Sequence, residues 1–225
     1  MKLELQAAGD QRSSALVIIS DNELLTQSVR SPEKSFWESW VEVLENQYSI
    51  YSLTEPLPEP SNVLQFAREL SLYCDSRGLK RLTVLGIGGG VSLGLAFAVV
   101  AARTVRRVIL VDGVMRNQPN FLLSKVNRVE EFLPFGFPFR SNFFGFDARP
   151  VLHRIHCPAL VISTPNASDY TRLQADFMTS RIPNSWSVSL SSWCLDSRGF
   201  PTEEFKNLFL TFSQVPVKRP QKALA

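Results

Sequence analysis

Apolar residues in this chain fall into short continuous runs separated by stretches with three- and four-residue periodicity. The runs SALVIIS, YSIYSL, RLTVLG, VRRVILVD and CPALVIST are bounded by turn-forming residues, as strands buried on both faces are. Lys2 to Ala8 alternates apolar and polar positions, which predicts a half-exposed edge strand, and WSVSLSS predicts another strand late in the chain. Helical spacing marks SFWESWVEVLENQ, then NVLQFARELSLYCDSRG with its stop at Gly78, and then Val91 to Arg103. Two further helices are predicted, one near Asp169 to Thr179 and one over TEEFKNLFLTFSQ. The Pro-rich LTEPLPEPSN breaks the chain before the second helix, and a long irregular segment follows VRRVILVD. Strands and helices alternating in this way predict a doubly wound, mainly parallel α/β sheet of about seven strands with helices on both faces.

Composition narrows the picture further. The 225 residues are 44% hydrophobic and 20% charged, enough to bury a substantial core as one domain over 1–215, with 216–225 as a flexible basic tail. No basic segment leads into an apolar stretch at the start of the chain, so no secretory signal is expected. The longest apolar run, Val91 to Ala102, is interrupted by Ser92 and Gly94 and falls short of the roughly 20 residues that a membrane span needs. A soluble, cytoplasmic protein is the expectation. Cys74, Cys157 and Cys194 are widely spaced and odd in number, which argues against a disulfide framework or a zinc site and fits a reducing compartment. The net charge of +3 is modest and the basic residues are scattered, so no nucleic-acid partner is expected.

The run LTVLGIGGGVSLGLAFA reads as a strand, a glycine turn and an apolar helix. In a G-x-S-x-G nucleophile elbow such a turn lifts a serine above the end of a parallel sheet. Here the turn is Gly86-Ile87-Gly88-Gly89-Gly90, and the hydroxyl-bearing position is Gly88. The helix before the turn, the spacing from Gly88 to Asp112 through VRRVILVDG, and the X-Pro entry in ARPVLHRIHCPALVIS together resemble the α/β-hydrolase superfamily over nearly the whole chain.

The resemblance implies a nucleophile at the position of Gly88, an acid after the strand CPALVIST, and a histidine in the loop after the last strand. Asp169 stands about two residues late for the acid, and SSWCLDSRGF contains no histidine. Only His153 and His156 exist, both before CPALVIST, where they lead into a strand at the edge opposite an active site. Their plain reading is strand-entry residues making local hydrogen bonds. As an H-x-x-H metal pair they lack further ligands, so neither a metal nor a cofactor is expected.

Three rival readings remain open at this level. Gly90-Val91-Ser92-Leu93-Gly94 matches G-x-S-x-G literally and would make Ser92 the nucleophile, although it falls about one turn into the helix. A rearranged ester or thioester hydrolase would use Ser92 or Cys194 near Asp169 or Asp196. A nucleotide- or S-adenosylmethionine-type cofactor could lie on the turn Gly86–Gly90 with Asp112 as the ribose carboxylate, but the third glycine of G-x-G-x-x-G is Val91.

The segment 117–150 stands where the superfamily carries a lid. It contains Phe132, Phe135, Phe137, Phe139, Phe143, Phe144 and Phe146, with Pro134 and Pro138 preventing a regular helix. These rings either plug the cleft over Gly88 or form an interaction patch. The expectation is a noncatalytic α/β-hydrolase-like protein that binds a protein partner or a small apolar or acidic ligand, with a homo-oligomer among the states open to it. Gly88, Gly89, Gly90, Phe135, Phe137 and Phe139 are its candidate contacts. The alternative is mechanical: Gly88 simply relaxes a strained elbow that no longer has to display a side chain.

Overall fold

The computed structural model describes residues 5–8, 14–20, 44, 47–53, 63–115, 147–165, 167–194 and 201–217. They form a seven-stranded sheet in the order β1-β3-β2-β4-β5-β6-β7. Its strands are β1 (Leu5–Ala8), β2 (Ser14–Ser20), β3 (Tyr48–Leu53), β4 (Leu82–Ile87), β5 (Val105–Val111), β6 (Ala159–Ser163) and β7 (Ser185–Ser189). Only β1 runs antiparallel, pairing Leu5 with Leu53 at the outer edge; the remaining pairs are parallel.

Burial follows the hydrophobic runs. Every residue of β4 is buried, and so is every residue of β2 after Ser14, because both faces of these central strands are covered. Ala15, Val17 and Ile19 of β2 face one core while Leu16 and Ile18 face the other, the period-two alternation that a covered sheet imposes. The edge strand β7 has no fully buried residue, and its Trp186 is 45% exposed.

The first core lies under helices α1 (Val63–Ser76), α2 (Gly90–Val100) and α3 (Asp169–Arg181). α1 offers a single stripe, Val63, Phe66, Ala67, Leu70 and Cys74, and its chain reverses at Gly78 with φ +67°. α2 is apolar on every side, with Gly90 through Ala98 all buried between the sheet and its neighbours. The second core holds Leu44, Tyr48 and the Phe205, Phe209 and Phe212 side chains of α4 (Glu203–Ser213). Thr202 caps α4 by accepting from the Phe205 N–H, and Ser168 caps α3 by accepting from the Thr171 N–H.

The segment expected to be irregular ends in a 3₁₀ helix, Arg149–Arg154, whose three-residue turn leaves no 3.6-residue period to read. At its base the Ala148 N–H donates to the Met115 carbonyl at 3.0 Å, and both residues are buried. The expected helix Ser35–Gln47, apart from Leu44 and Gln47, the expected plug of Phe132, Phe135, Phe137, Phe139, Phe143, Phe144 and Phe146, Asp196, and all but Pro216 and Val217 of the expected tail 216–225 lie outside the described residues.

Candidate functional site

The sharpest backbone feature at the C-terminal end of the sheet is the turn joining β4 to α2. β4 continues one residue past Gly86 to Ile87, and the chain then reverses at Gly88 with φ +56°, in the left-handed region. A residue with a Cβ is strained there, whereas glycine enters it freely. The Gly88 N–H donates to the Val111 carbonyl at 2.9 Å, and its own carbonyl accepts from the Val91 N–H at 3.2 Å. The turn is thus tied sideways to β5 and forwards into α2.

Gly89 is the N-cap residue of α2, and Gly90 opens the helix. A Cβ at Gly90 would lie 2.1 Å from the Ile19 carbonyl oxygen of β2, so only glycine lets the helix start this close to the sheet. At this position the close approach, rather than the dihedral, demands glycine.

Ser92 is 5% exposed, and its hydroxyl donates to the Gly89 carbonyl at 3.2 Å, closing on the first turn of its own helix. Among the described residues, no histidine or carboxylate is a hydrogen-bond partner of Ser92. Asp112 follows β5 with φ +45°, and both its oxygens are engaged by Thr164: the Thr164 N–H donates to Oδ1 at 2.8 Å and the Thr164 hydroxyl donates to Oδ2. The carboxylate that a nucleotide ribose would need is therefore already used to bind the end of β6.

Asp169 is exposed in the first turn of α3, where a negative charge complements the helix dipole, and it makes no hydrogen bond or ion pair among the described residues. The loop before it is organised by a residue that sequence reasoning missed. Arg172 reaches back to the carbonyls of Thr164, Pro165 and Ala167 at 3.2–3.3 Å, so a guanidinium holds the stretch where the superfamily's acid would stand.

The loop after β7 has its own tie. The Ser191 N–H and hydroxyl both donate to Glu204 in the first turn of α4, the hydroxyl at 2.7 Å, and Ser192 adds a longer bond at 3.4 Å. These donors, the Ser191 hydroxyl first, hold the Glu204 carboxyl below its ordinary value even though it is exposed. Cys194 is completely buried, and its thiol is pushed up to about 12, first by burial and then by the charge of Asp112. Burial likewise pushes Cys74 and Cys157 up to about 12, so none of the three carries thiolate near neutral pH.

His153 lies on the 3₁₀ helix and His156 two residues beyond it, both exposed. The His156 carbonyl accepts from the Asn184 side chain at 3.0 Å, just ahead of β7, which sets it at the edge where β6 and β7 begin, away from Gly88. His153 lines a shallow depression of about 540 Å³ together with Asp147, Arg149, Pro150, Phe177 and Arg181. Among the described residues, no group of three or more His, Cys, Asp or Glu could hold a metal ion, and no helix is long and apolar enough to cross a membrane.

No protein-family model and no curated protein matches the chain. Solved structures do match in fold. A hydrolase from Pseudomonas aeruginosa PA01 superposes with a TM-score of 0.67 at 16% identity, covering 94% of each chain. The enol-lactonase from Burkholderia xenovorans LB400 gives 0.66 at 18% identity, over 94% of this chain and 96% of that one. MGS-M2, an α/β hydrolase from a Medee basin deep-sea metagenome library, gives 0.67 at 15% identity, over 97% and 96%. The chain has the α/β-hydrolase fold.

Proposed function

We propose that this α/β-hydrolase fold works by binding rather than by hydrolysis, with a protein partner or a small apolar or acidic ligand as its target. The observation that carries the reading is the elbow itself: the left-handed residue of the turn is Gly88, which has no side chain to attack with. The absence of histidine from the sequence SSWCLDSRGF supports it independently, because a nucleophile without a base is not activated. The target is proposed to lie at the C-terminal end of the sheet, over Gly88, Gly89 and Gly90, with Phe135, Phe137 and Phe139 from the lid-like segment as further contacts. Three free cysteines in the described chain accord with a reducing, cytoplasmic setting.

The neighbours named for hydrolase and enol-lactonase chemistry make ester hydrolysis the competing reading. Ser92, turned into its own helix, and Cys194, buried as a neutral thiol, both weigh against it. The discriminating experiment is turnover of a panel of short-chain nitrophenyl esters and lactones by the purified protein. The proposal expects rates at the level of buffer; saturable hydrolysis that disappears in Ser92→Ala or Cys194→Ala would overturn it.

A further inference from the structure

The opposite edge of the sheet, where the parallel strands begin, holds a cavity of about 400 Å³. Among the described residues it is lined by Ser14 at the start of β2, Arg81 just before β4, Arg106 and Arg107 in β5, and Val217 beyond α4. Three arginines from two neighbouring strand entries line one small space. None of them pairs with a carboxylate among the described residues; the ion pairs there join Arg149 to Asp147 and Lys206 to Glu203.

Local backbone features bring them together. The register between β4 and β5 shifts after the Leu82–Val105 pair, so that Thr83 faces Arg107 and Arg106 is the extra residue of a bulge. Val105 and Val108 consequently both face the first core, and two consecutive arginines occupy the place where an unbroken strand would put one inward and one outward residue. Arg81 has φ +65°, a conformation that costs a non-glycine residue and that persists only where its surroundings impose it.

The cluster is incompletely satisfied. Arg107 Nη2 donates to the Val215 carbonyl at 2.6 Å, but its buried Nε has no partner. Burial lowers the Arg107 pKa, Tyr48 raises it and the Arg81 charge lowers it again, and among the described residues no carboxylate offsets the arginine charges. Guanidinium forks match phosphate oxygens two at a time and keep their charge at any physiological pH. The volume suits a small molecule, and the described lining has no aromatic ring on which a nucleobase could stack.

We infer that the strand-entry edge is a binding site for a compact phosphate-bearing small molecule, held by Arg81, Arg106 and Arg107. It lies across the sheet from Gly88 and does not depend on how the elbow is read.

The test is calorimetric titration of the full chain with inorganic pyrophosphate at constant ionic strength, alongside the variants Arg106→Ala, Arg81→Gly and Arg68→Ala. Glycine occupies φ +65° without strain, so Arg81→Gly stays folded, with an unfolding temperature no lower than that of the parent. Arg68 is exposed on α1 and controls for the loss of one positive charge. The expected result is saturable binding that weakens roughly tenfold or more in Arg106→Ala and Arg81→Gly and is unchanged in Arg68→Ala. Absence of saturable binding, or equal weakening in all three variants, would overturn the site. Citrate binding as tightly as pyrophosphate would overturn the assignment to phosphate.

Discussion

Thr164 donates both its backbone N–H and its hydroxyl to the carboxylate of Asp112, fastening the end of β6 to the end of β5 across 52 positions of sequence. The Asp112 N–H returns the tie by donating to the Ile162 carbonyl at 3.0 Å. Removing the carboxylate leaves the buried Thr164 without its acceptor, so Asp112→Ala is expected to cost about 1–3 kcal/mol in urea unfolding. Thr164→Val keeps the N–H and loses only the hydroxyl, and is expected to cost about 1 kcal/mol. The double variant should be less destabilised than the sum of the two, because they remove one shared interaction.

Restoring a hydroxyl to the elbow is expected to harm the protein rather than activate it. Gly88→Ser places a Cβ at φ +56° and should lower stability by about 1–2 kcal/mol, with ester turnover still at background. A stabilised and active Gly88→Ser enzyme would show that a base is already in place.

Two glycines of α2, four residues apart, should respond in opposite directions to alanine. At Gly90 the new Cβ meets the Ile19 carbonyl oxygen at 2.1 Å, a backbone atom that cannot move aside, and the expected loss is about 1–3 kcal/mol. At Gly94 the nearest atom is a Val84 methyl at 3.6 Å, an ordinary contact. Gly94→Ala should therefore be neutral or stabilising by about 0.5–1 kcal/mol through helix propensity. Thermal unfolding of the two variants side by side checks the contrast.

Glu204 gives a pH signature. Its carboxyl is depressed below the ordinary 4.5, so its contribution to stability is fully present above that value and is lost as pH falls through the lower, folded value. Glu204→Gln is expected to unfold at a lower temperature than the parent at pH 7. The difference should shrink as the pH drops below about 4.5. A gap that persists unchanged in acid would show that the Ser191 contacts do not depend on the charge.

The cysteines should be silent in the native state. With Cys74 and Cys194 fully buried and their thiols near 12, an aromatic disulfide reagent at pH 8 is expected to label neither until the chain is unfolded. Fast native labelling of Cys194 would revive the thiol-based alternative.

The elements most legible in the sequence were those with continuous apolar runs between turns. SALVIIS and YSIYSL became β2 and β3 over those same residues, since strands covered on both faces announce themselves by composition alone. The turn was less sharply marked: RLTVLG looked complete at Gly86, yet the strand takes one more residue because Ile87 has a place in the second core. Ties between distant residues left no pattern to read. Asp112 with Thr164, Glu204 with Ser191, and Arg172 with the carbonyls before α3 each depend on which strand ends become neighbours. The arginines were the largest omission. Arg81, Arg106 and Arg107 read as scattered charge along the chain, but strand order and one bulge gather three of them around a single cavity.

The hydrogen bond between Ala148 and Met115 separates two design problems that the chain would otherwise have to solve together. That contact closes the chain between Met115 and Ala148 into a loop at one buried backbone hydrogen bond. Doubling the length of such a loop adds only about 0.6 kcal/mol to its closure cost. A change in the length of chain between Met115 and Ala148 is therefore expected to leave β5 and β6 paired as they are, since the junction rather than the length sets where the two strands meet.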